Sequence, residues 1–326
     1  MTKTKTPSRA KSTSADTRLW KWGAAAAAGT ALAGTALLNR SRAKRAERDN
    51  PPLGEFVTVD GIRLHYVERG KGPDLVLLHG NGTMIEDWEV SGLLDALAKT
   101  HRVIAFDRPG FGHSDRPRSV IWTPTAQAAL FAKAFARLGI EKPLVVGHSF
   151  GTMVAVALAL NHPAKVSALA LMGGYYYPSA RADVLFASQP AIPVVGDVMR
   201  YTVSPLLGAA LVPAVNERIF SPAPVTKQWE EEFPMEMTLR PFQIRSAAAE
   251  AALMIPAAAA VAGRYGELDL PVTIIAGPED KLIDMEDQSE RLHEEISNSR
   301  LVQIKEAGHM IHHTATAKVV AAITGS

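Results

Sequence analysis

No cysteine occurs among the 326 residues, which excludes disulfide cross-links, thiolate nucleophiles and cysteine-ligated zinc or iron–sulfur centres. The absence suits any compartment and locates nothing. No internal repeat is visible, so a solenoid is not expected. A basic stripe for nucleic acid is also missing from the body of the chain. Residues 1–50 carry eleven Lys and Arg against three acids, a balance of +8, while the remainder has 24 basic and 30 acidic residues, a balance of −6. Attraction to phosphate is therefore confined to the tail, and no nucleic-acid partner is expected. What the chain does have is apolar bulk: nearly half of it is hydrophobic, enough for a sizeable core.

The tail combines charge with an apolar run. Residues 1–22 are rich in Lys, Arg, Ser and Thr. Gly23 to Leu38 then pass without a charge, and Arg40, Arg42, Lys44, Arg45 and Arg48 follow at once. With Trp20 and Trp22 included, the stretch approaches the roughly 20 apolar residues a membrane-spanning helix needs. Alanine dominates it, and Lys21 must snorkel near one end. A membrane anchor over residues 19–38 is the leading reading. The alternatives are a cleaved signal leading to a secreted or periplasmic protein, and a transit peptide or soluble Ala-rich helix. The cations just after the run argue against a signal cleavage region. Pro51, Pro52 and Gly54 end the tail.

In the body, Phe56 to Val59 and Arg63 to Val67 read as strands joined by Asp60-Gly61, a two-residue hairpin signal. Leu75 to Leu78, Arg102 to Phe106, Leu144 to Val146, Val166 to Met172, Val272 to Ala276 and Arg300 to Ile304 are apolar runs of strand length. Thr125 to Leu138 and Phe150 to Leu160 read as helices. Uninterrupted apolar strands alternating with helices predict a mostly parallel, doubly wound α/β sheet covered on both faces. Between Tyr175 and Leu268 the alternation stops. Prolines accumulate there and the periodic stretches, Ser246 to Ala262 among them, look helical. The predicted organisation is a tail over 1–50, a core over 55–174 and 269–326, and a helical cap over 175–268.

The chemistry centres on Gly147-His-Ser-Phe-Gly151. A G-x-S-x-G string is short enough to arise by chance, but this one leaves a strand and opens directly into an apolar helix, the context such a nucleophile turn requires. The glycines let neighbouring backbone approach the serine, and the helix beginning at Phe150 aims its free N–H groups at the reaction centre. Serine is a weak nucleophile and needs an imidazole to take its proton. A carboxylate must in turn hold that imidazole in its working tautomer. His309, His312 and His313 are the candidate bases; Glu279, Asp280, Asp284 and Asp287 are the candidate acids. The three histidines could also hold a metal at helical spacing, but there is neither an HExxH string nor a carboxylate among them, and no metal site is expected.

Taken in order, the motifs resemble the α/β-hydrolase superfamily over residues 55–323. They are His79-Gly80 after the third strand, Asp107-Arg-Pro-Gly-Phe-Gly-His-Ser114 after the fourth, the elbow at Ser149, Gly277-Pro-Glu-Asp280 after a late strand and Gly308-His309 after the last. The resemblance implies the α/β-hydrolase fold with a helical cap and a catalytic triad of Ser149, Asp280 and His309. It also implies an oxyanion hole made by the backbone N–H groups of Asn81 and Phe150. His79 and His148 are then loop supports rather than bases, and Asp107 a structural turn residue. No cofactor is needed.

Serine at position 149 separates the chain from the superfamily's haloalkane dehalogenases and epoxide hydrolases, which attack with aspartate. The loop His79-Gly-Asn-Gly82 departs from the His-Gly-Gly-Pro-Gly of its proline peptidases and the Gly-Pro-Gly of its carbon–carbon bond hydrolases. The resemblance therefore points first to a hydrolase of a small to medium apolar carboxylic ester working through an acyl-enzyme. C–C bond, lactone, thioester or amide hydrolysis and perhydrolysis on the same triad stay open. Outside enzymes, a ligand-binding protein on this scaffold would be expected to have lost a triad member, and none is lost here; a membrane scaffold would rest on the tail alone. Tyr175, Tyr176, Tyr177, Phe186, Trp229, Phe233, Met235 and Met237 suggest an apolar pocket collectively, although individually each is more simply explained by packing within the cap.

Overall fold

The computed structural model describes residue 2 and residues 13–325, with 13–19 by backbone alone. The first part of the basic tail, residues 3–12, lies outside the described residues. The elements run α1 (Thr13–Asp49), β1 (Glu55–Val59), β2 (Ile62–Arg69), β3 (Asp74–Leu78), α2 (Glu86–Val90), α3 (Leu93–Leu97), β4 (Arg102–Phe106), α4 (Pro124–Leu138), β5 (Leu144–His148), α5 (Phe150–Asn161) and β6 (Ala168–Met172). Six helices follow: α6 (Ala182–Ala187), α7 (Val195–Tyr201), α8 (Val203–Phe220), α9 (Lys227–Glu232), α10 (Met235–Thr238) and α11 (Pro241–Val261). The chain closes with β7 (Val272–Ala276), α12 (Arg291–Glu295), β8 (Ser299–Gln303), α13 (Ile311–Thr314) and α14 (Thr316–Thr324).

The eight strands form one sheet in the order β1-β2-β4-β3-β5-β6-β7-β8. Only β1 and β2 are antiparallel to their neighbours. Asp60 and Gly61 both take positive φ, 50° and 77°, as a two-residue turn matched to strand twist requires. The apolar strands are continuous because alternate residues enter different cores. Leu75, Leu77, Val103 and Ala105 pack with α2, α3 and α14 on one face, whereas Val76, Leu78, Ile104 and Phe106 pack with α4 and α5 on the other. α4 starts where the Thr123 hydroxyl accepts from the Ala126 N–H with Pro124 at the first turn, and it stops at Gly139 in the left-handed region.

The helices between β6 and β7 fill the region where the alternation stops in the sequence. α11 begins earlier than Ser246, because Pro241 at its first turn fixes a helical φ. The short helices α2 and α3 were not anticipated; at five residues each they carry too little periodicity to be read. The tail ends close to the expected break, but α1 is a single helix of 37 residues. Its last third lies on the body: Asn39 and Ala46 are buried, and Glu47 pairs with Arg240 at 3.1 Å. Among the described residues, α11 is the only single helix long and apolar enough to cross a membrane, and it is one-third buried in the body. α7 and α8 pass the same test only as a pair bent by 61°. The alanine-rich run of α1 does not reach that threshold.

Candidate active site

β5 delivers Ser149 into a strained turn with φ 50° and ψ −120°, and α5 begins at the next residue. A non-glycine residue held there stores on the order of 1–3 kcal/mol of strain. Packing maintains it. The Ser149 N–H donates to the Met172 carbonyl at 2.9 Å, and its own carbonyl accepts from the Thr152 hydroxyl at 2.6 Å. The flanking glycines are dictated by close approach: a Cβ at Gly151 would collide with the Leu78 carbonyl, and one at Gly147 would come within 2.7 Å of α5 backbone. The 79–82 loop lies against the serine, since a Cβ on Gly80 would stand 3.2 Å from the Ser149 Cβ. Neither the Asn81 N–H nor the Phe150 N–H has an acceptor among the described residues; the latter is free because first-turn donors have no intrahelical partner.

Of the candidate acids, Asp280 alone meets a candidate base. Its Oδ2 lies 2.8 Å from His309 Nδ1, with both side chains nearly buried. Its Oδ1 accepts from the N–H groups of Leu282 and Ile283 at 2.7 and 3.1 Å, so both carboxyl oxygens are engaged. Glu279 and Asp284 are turned to backbone N–H groups of Glu306 and Asp287 instead. His309 is fastened to the elbow through its backbone, whose carbonyl accepts from His148 Nε2 at 3.0 Å. Among the described residues no hydrogen bond joins the Ser149 hydroxyl to the His309 imidazole. Such contacts commonly tighten only with substrate bound.

His79, His148, His312 and His313 have partners of their own. His79 Nε2 accepts from the Arg108 N–H at 2.9 Å, so Nδ1 carries the proton and donates to the Gly80 carbonyl at 2.8 Å. Burial first, and then the neighbouring Arg108 cation, push His79 down to about 4. Burial, reinforced by His312 and His309, likewise holds His148 well below the ordinary imidazole range. Both are neutral loop supports. His312 and His313 share a partner instead: each Nε2 lies 2.7–2.8 Å from the same oxygen of buried Asp87. Burial by itself would raise Asp87, but the two imidazoles outweigh it and hold the carboxyl well below its usual range. Asp87, His312 and His313 are the one set of side chains among the described residues close enough to share a metal ion; His309 is not part of it. Asp107 is structural: its carboxylate binds His65 Nδ1 at 2.6 Å and the N–H groups of Ile85 and His113.

Sequence reasoning missed Arg108. Its buried guanidinium donates to the His79 and Gly80 carbonyls at 2.7 and 2.8 Å and binds Glu250 of α11 bidentately at 2.6 and 2.9 Å. Two further bonds join the same elements, Asn81 Nδ2 to the Ala247 carbonyl and Gln243 Nε2 to the Gly82 carbonyl. The 79–82 loop is thus tied to α11 at three points. No local signal announces this, because Arg108 and Glu250 are 142 residues apart.

Among the expected pocket aromatics, Tyr175, Tyr176 and Tyr177 are core residues. Trp229 stacks on Phe233 at 3.9 Å within the inserted helices. Phe186 is the exception and faces outward, 74% exposed.

A family model described as alpha/beta hydrolase fold matches residues 73–316. A 2-hydroxymuconate semialdehyde hydrolase of Pseudomonas sp. (strain CF600) is 36% identical over 155 residues, covering 45% of this chain and 53% of that protein. The chain thus spans about half the length of the curated relatives it matches. Among solved structures, a meta-cleavage product hydrolase from Pseudomonas fluorescens IP01 superposes with a TM-score of 0.67 and 25% identity, over 85% of this chain and 99% of that one. An alpha/beta hydrolase fold protein from Burkholderia ambifaria gives a TM-score of 0.69 at 24% identity, over 84% of this chain and 98% of that one.

Proposed function

The chain belongs to the alpha/beta hydrolase fold family, and from that premise we propose that it is a serine hydrolase of small-molecule carbonyl compounds, with Ser149 as nucleophile, His309 as base and Asp280 as its orienting acid. The observation that carries this reading is the paired His309–Asp280 at 2.8 Å, anchored to a strained serine elbow. In the proposed cycle, Ser149 Oγ attacks the carbonyl carbon while His309 Nε2 takes the hydroxyl proton, and Asp280 stabilises the imidazolium through Nδ1–H. The N–H groups of Phe150 and Asn81 hold the oxyanion. Collapse expels the leaving group, which takes the proton from His309. Water, deprotonated by His309, then opens the acyl-enzyme to release a carboxylic acid and restore the serine. The helices over 175–268 act in this reading as a cap that excludes water and selects substrate.

Two readings of the scissile bond follow. The names of the relatives favour a carbon–carbon bond in an oxo-dienoate, whose leaving group must be protonated on carbon. The loop His79-Gly-Asn-Gly82, which lacks the Gly-Pro-Gly that the superfamily resemblance associates with such enzymes, favours an apolar carboxylic ester. Full-length protein and a Ser149→Ala variant would be tested for fluorophosphonate labelling. Turnover of p-nitrophenyl esters of graded length would be compared with turnover of 2-hydroxymuconate semialdehyde. Labelling that persists in Ser149→Ala, or folded wild-type protein that neither labels nor turns over either substrate, refutes the serine assignment. The preferred substrate decides the bond.

We also read the apolar run at 19–38 as a membrane anchor. Support comes from Trp20, Trp22 and Leu37, each about 70% exposed or more.

A further inference from the structure

The helix α8 presents a physical contradiction. Val203 to Asn216 contain no charged residue, and within the whole helix only Pro205 and Phe220 are buried. A helix apolar all round is stable where something apolar surrounds it, yet Leu207 is 58% exposed and Val215 51%. The same holds just upstream. Val184 to Gly196 are uncharged, with Phe186 and Val194 each 74% exposed. Together α6, α7 and α8 present an apolar surface of a kind that marks an interaction site rather than solvent-facing protein.

The position of α1 identifies what covers it. Residues 20–34 of α1 are exposed throughout, and the helix first becomes firmly attached at Asn39. The Asn39 side chain donates to the carbonyls of Tyr201 and Thr202 at 2.9 and 2.8 Å, at the break between α7 and α8. The uncharged run of α1, about 24 Å at 1.5 Å per residue, therefore leaves the body at the edge of the apolar surface. On the body side of that junction stand the exposed cations Arg40, Arg42, Lys44, Arg45 and Arg48. Apolar surface on one side of a line and cations on the other match the boundary between acyl chains and anionic headgroups.

We propose that the outer face of α6, α7 and α8 docks on a lipid bilayer bearing anionic headgroups, so that the helices inserted over the serine elbow lie in the membrane interface. The proposal goes beyond the anchor reading, which concerns α1 alone. The helices carrying this face also reach the proposed triad. The Ile219 carbonyl near the end of α8 accepts from the Met310 N–H at 3.1 Å, next to His309.

The absence of cysteine makes the test direct. In the full chain, Phe186→Cys, Leu207→Cys, Leu32→Cys on α1 and Lys71→Cys in the turn before β3 would each be labelled with an environment-sensitive fluorophore. Each protein would be mixed with phosphatidylcholine–phosphatidylglycerol vesicles, with and without a doxyl-labelled lipid. The expected result is a blue shift at 186 and 207, quenched by the doxyl lipid and weakened in pure phosphatidylcholine, with no change at 71. Quenching at 32 alone would leave the anchor standing and overturn the docked face. Quenching nowhere would overturn both. A blue shift at 186 and 207 without vesicles, growing with protein concentration, would show that a second copy covers the face and would also overturn the proposal. Circular dichroism and fluorophosphonate labelling of each variant report folding and the serine site separately.

Discussion

Glu250 offers the sharpest test of how the inserted helices serve the site. Its carboxylate is fully buried, binds Arg108 bidentately, accepts from Gln127 Nε2 at 2.8 Å and has Arg116 at 3.5 Å. Glu250→Ala would strand a buried guanidinium, and removing one partner of such a pair costs about 3–5 kcal/mol. In a domain of this size that lowers Tm on the order of 10 °C, measurable by thermal or urea unfolding. The catalytic consequence is separate. Arg108 would keep its bonds to the His79 and Gly80 carbonyls but lose the anchor that fixes its position, so the Asn81 N–H would lose alignment. Losing an oxyanion donor outright costs about 10²–10³ in kcat, and partial misalignment should cost about tenfold to a hundredfold within that bound. Glu250→Gln, which preserves shape, should be milder in stability yet still lower kcat more than it raises KM. Assays run well below Tm separate the two effects. A destabilised variant with unchanged kcat would refute the coupling and reduce the pair to a structural bond. An unchanged Tm would refute the burial argument itself. Lys133→Ala, which removes an exposed pair with Asp60, should cost less than about 1 kcal/mol and serves as the control.

Asp280→Asn should leave the fold intact and lower kcat by about 10⁴, as loss of the orienting carboxylate does in triads of this kind; wild-type kcat in this variant would return the assignment to a neighbouring acid. At the oxyanion loop, Asn81→Ala removes only a side-chain bond to Ala247, worth about 1 kcal/mol. Asn81→Pro removes the N–H itself and should lower kcat by about 10²–10³, so equal effects of the two would exclude that donor. Stability should also depend on pH through two buried groups of opposite sign. His79 titrates near 4 in the folded protein against 6.5 when unfolded. The unfolded chain therefore holds the extra proton between these values, and stability falls by up to about 3 kcal/mol on acidification from pH 6.5 to 4. A His79→Gln variant should flatten that limb in urea titrations. Burial, with Asp107 next in effect, raises Glu86 to about 8, so the folded state holds the extra proton and stability falls as pH rises from 4.5 to 8. Glu86→Gln should remove this second slope, and an unaltered profile would show that Glu86 is not protonated in the folded state.

Much of this protein was legible in its sequence because the relevant physics is local. The alternation of Leu75 to Leu78 between two cores demands an unbroken apolar run. The Asp60-Gly61 turn demands two residues tolerant of positive φ, and the elbow at Ser149 demands glycine where α5 presses on the sheet. Those demands appear as consecutive letters, whereas the order serine, acid, histidine came from the superfamily resemblance. Residue types alone left four nearby acids open; the superfamily resemblance named Asp280, and the path of the chain after β7 is what brings that carboxylate to His309. Tertiary structure alone could bring Asp87 to His312 and His313, turning two candidate bases into supports, and it alone could join Arg108 to Glu250. The apolar face of α6 to α8 belongs to the same class. Its residues are plain in the sequence, where they read as ordinary core, since composition records what a side chain prefers and only the folded arrangement records whether anything surrounds it.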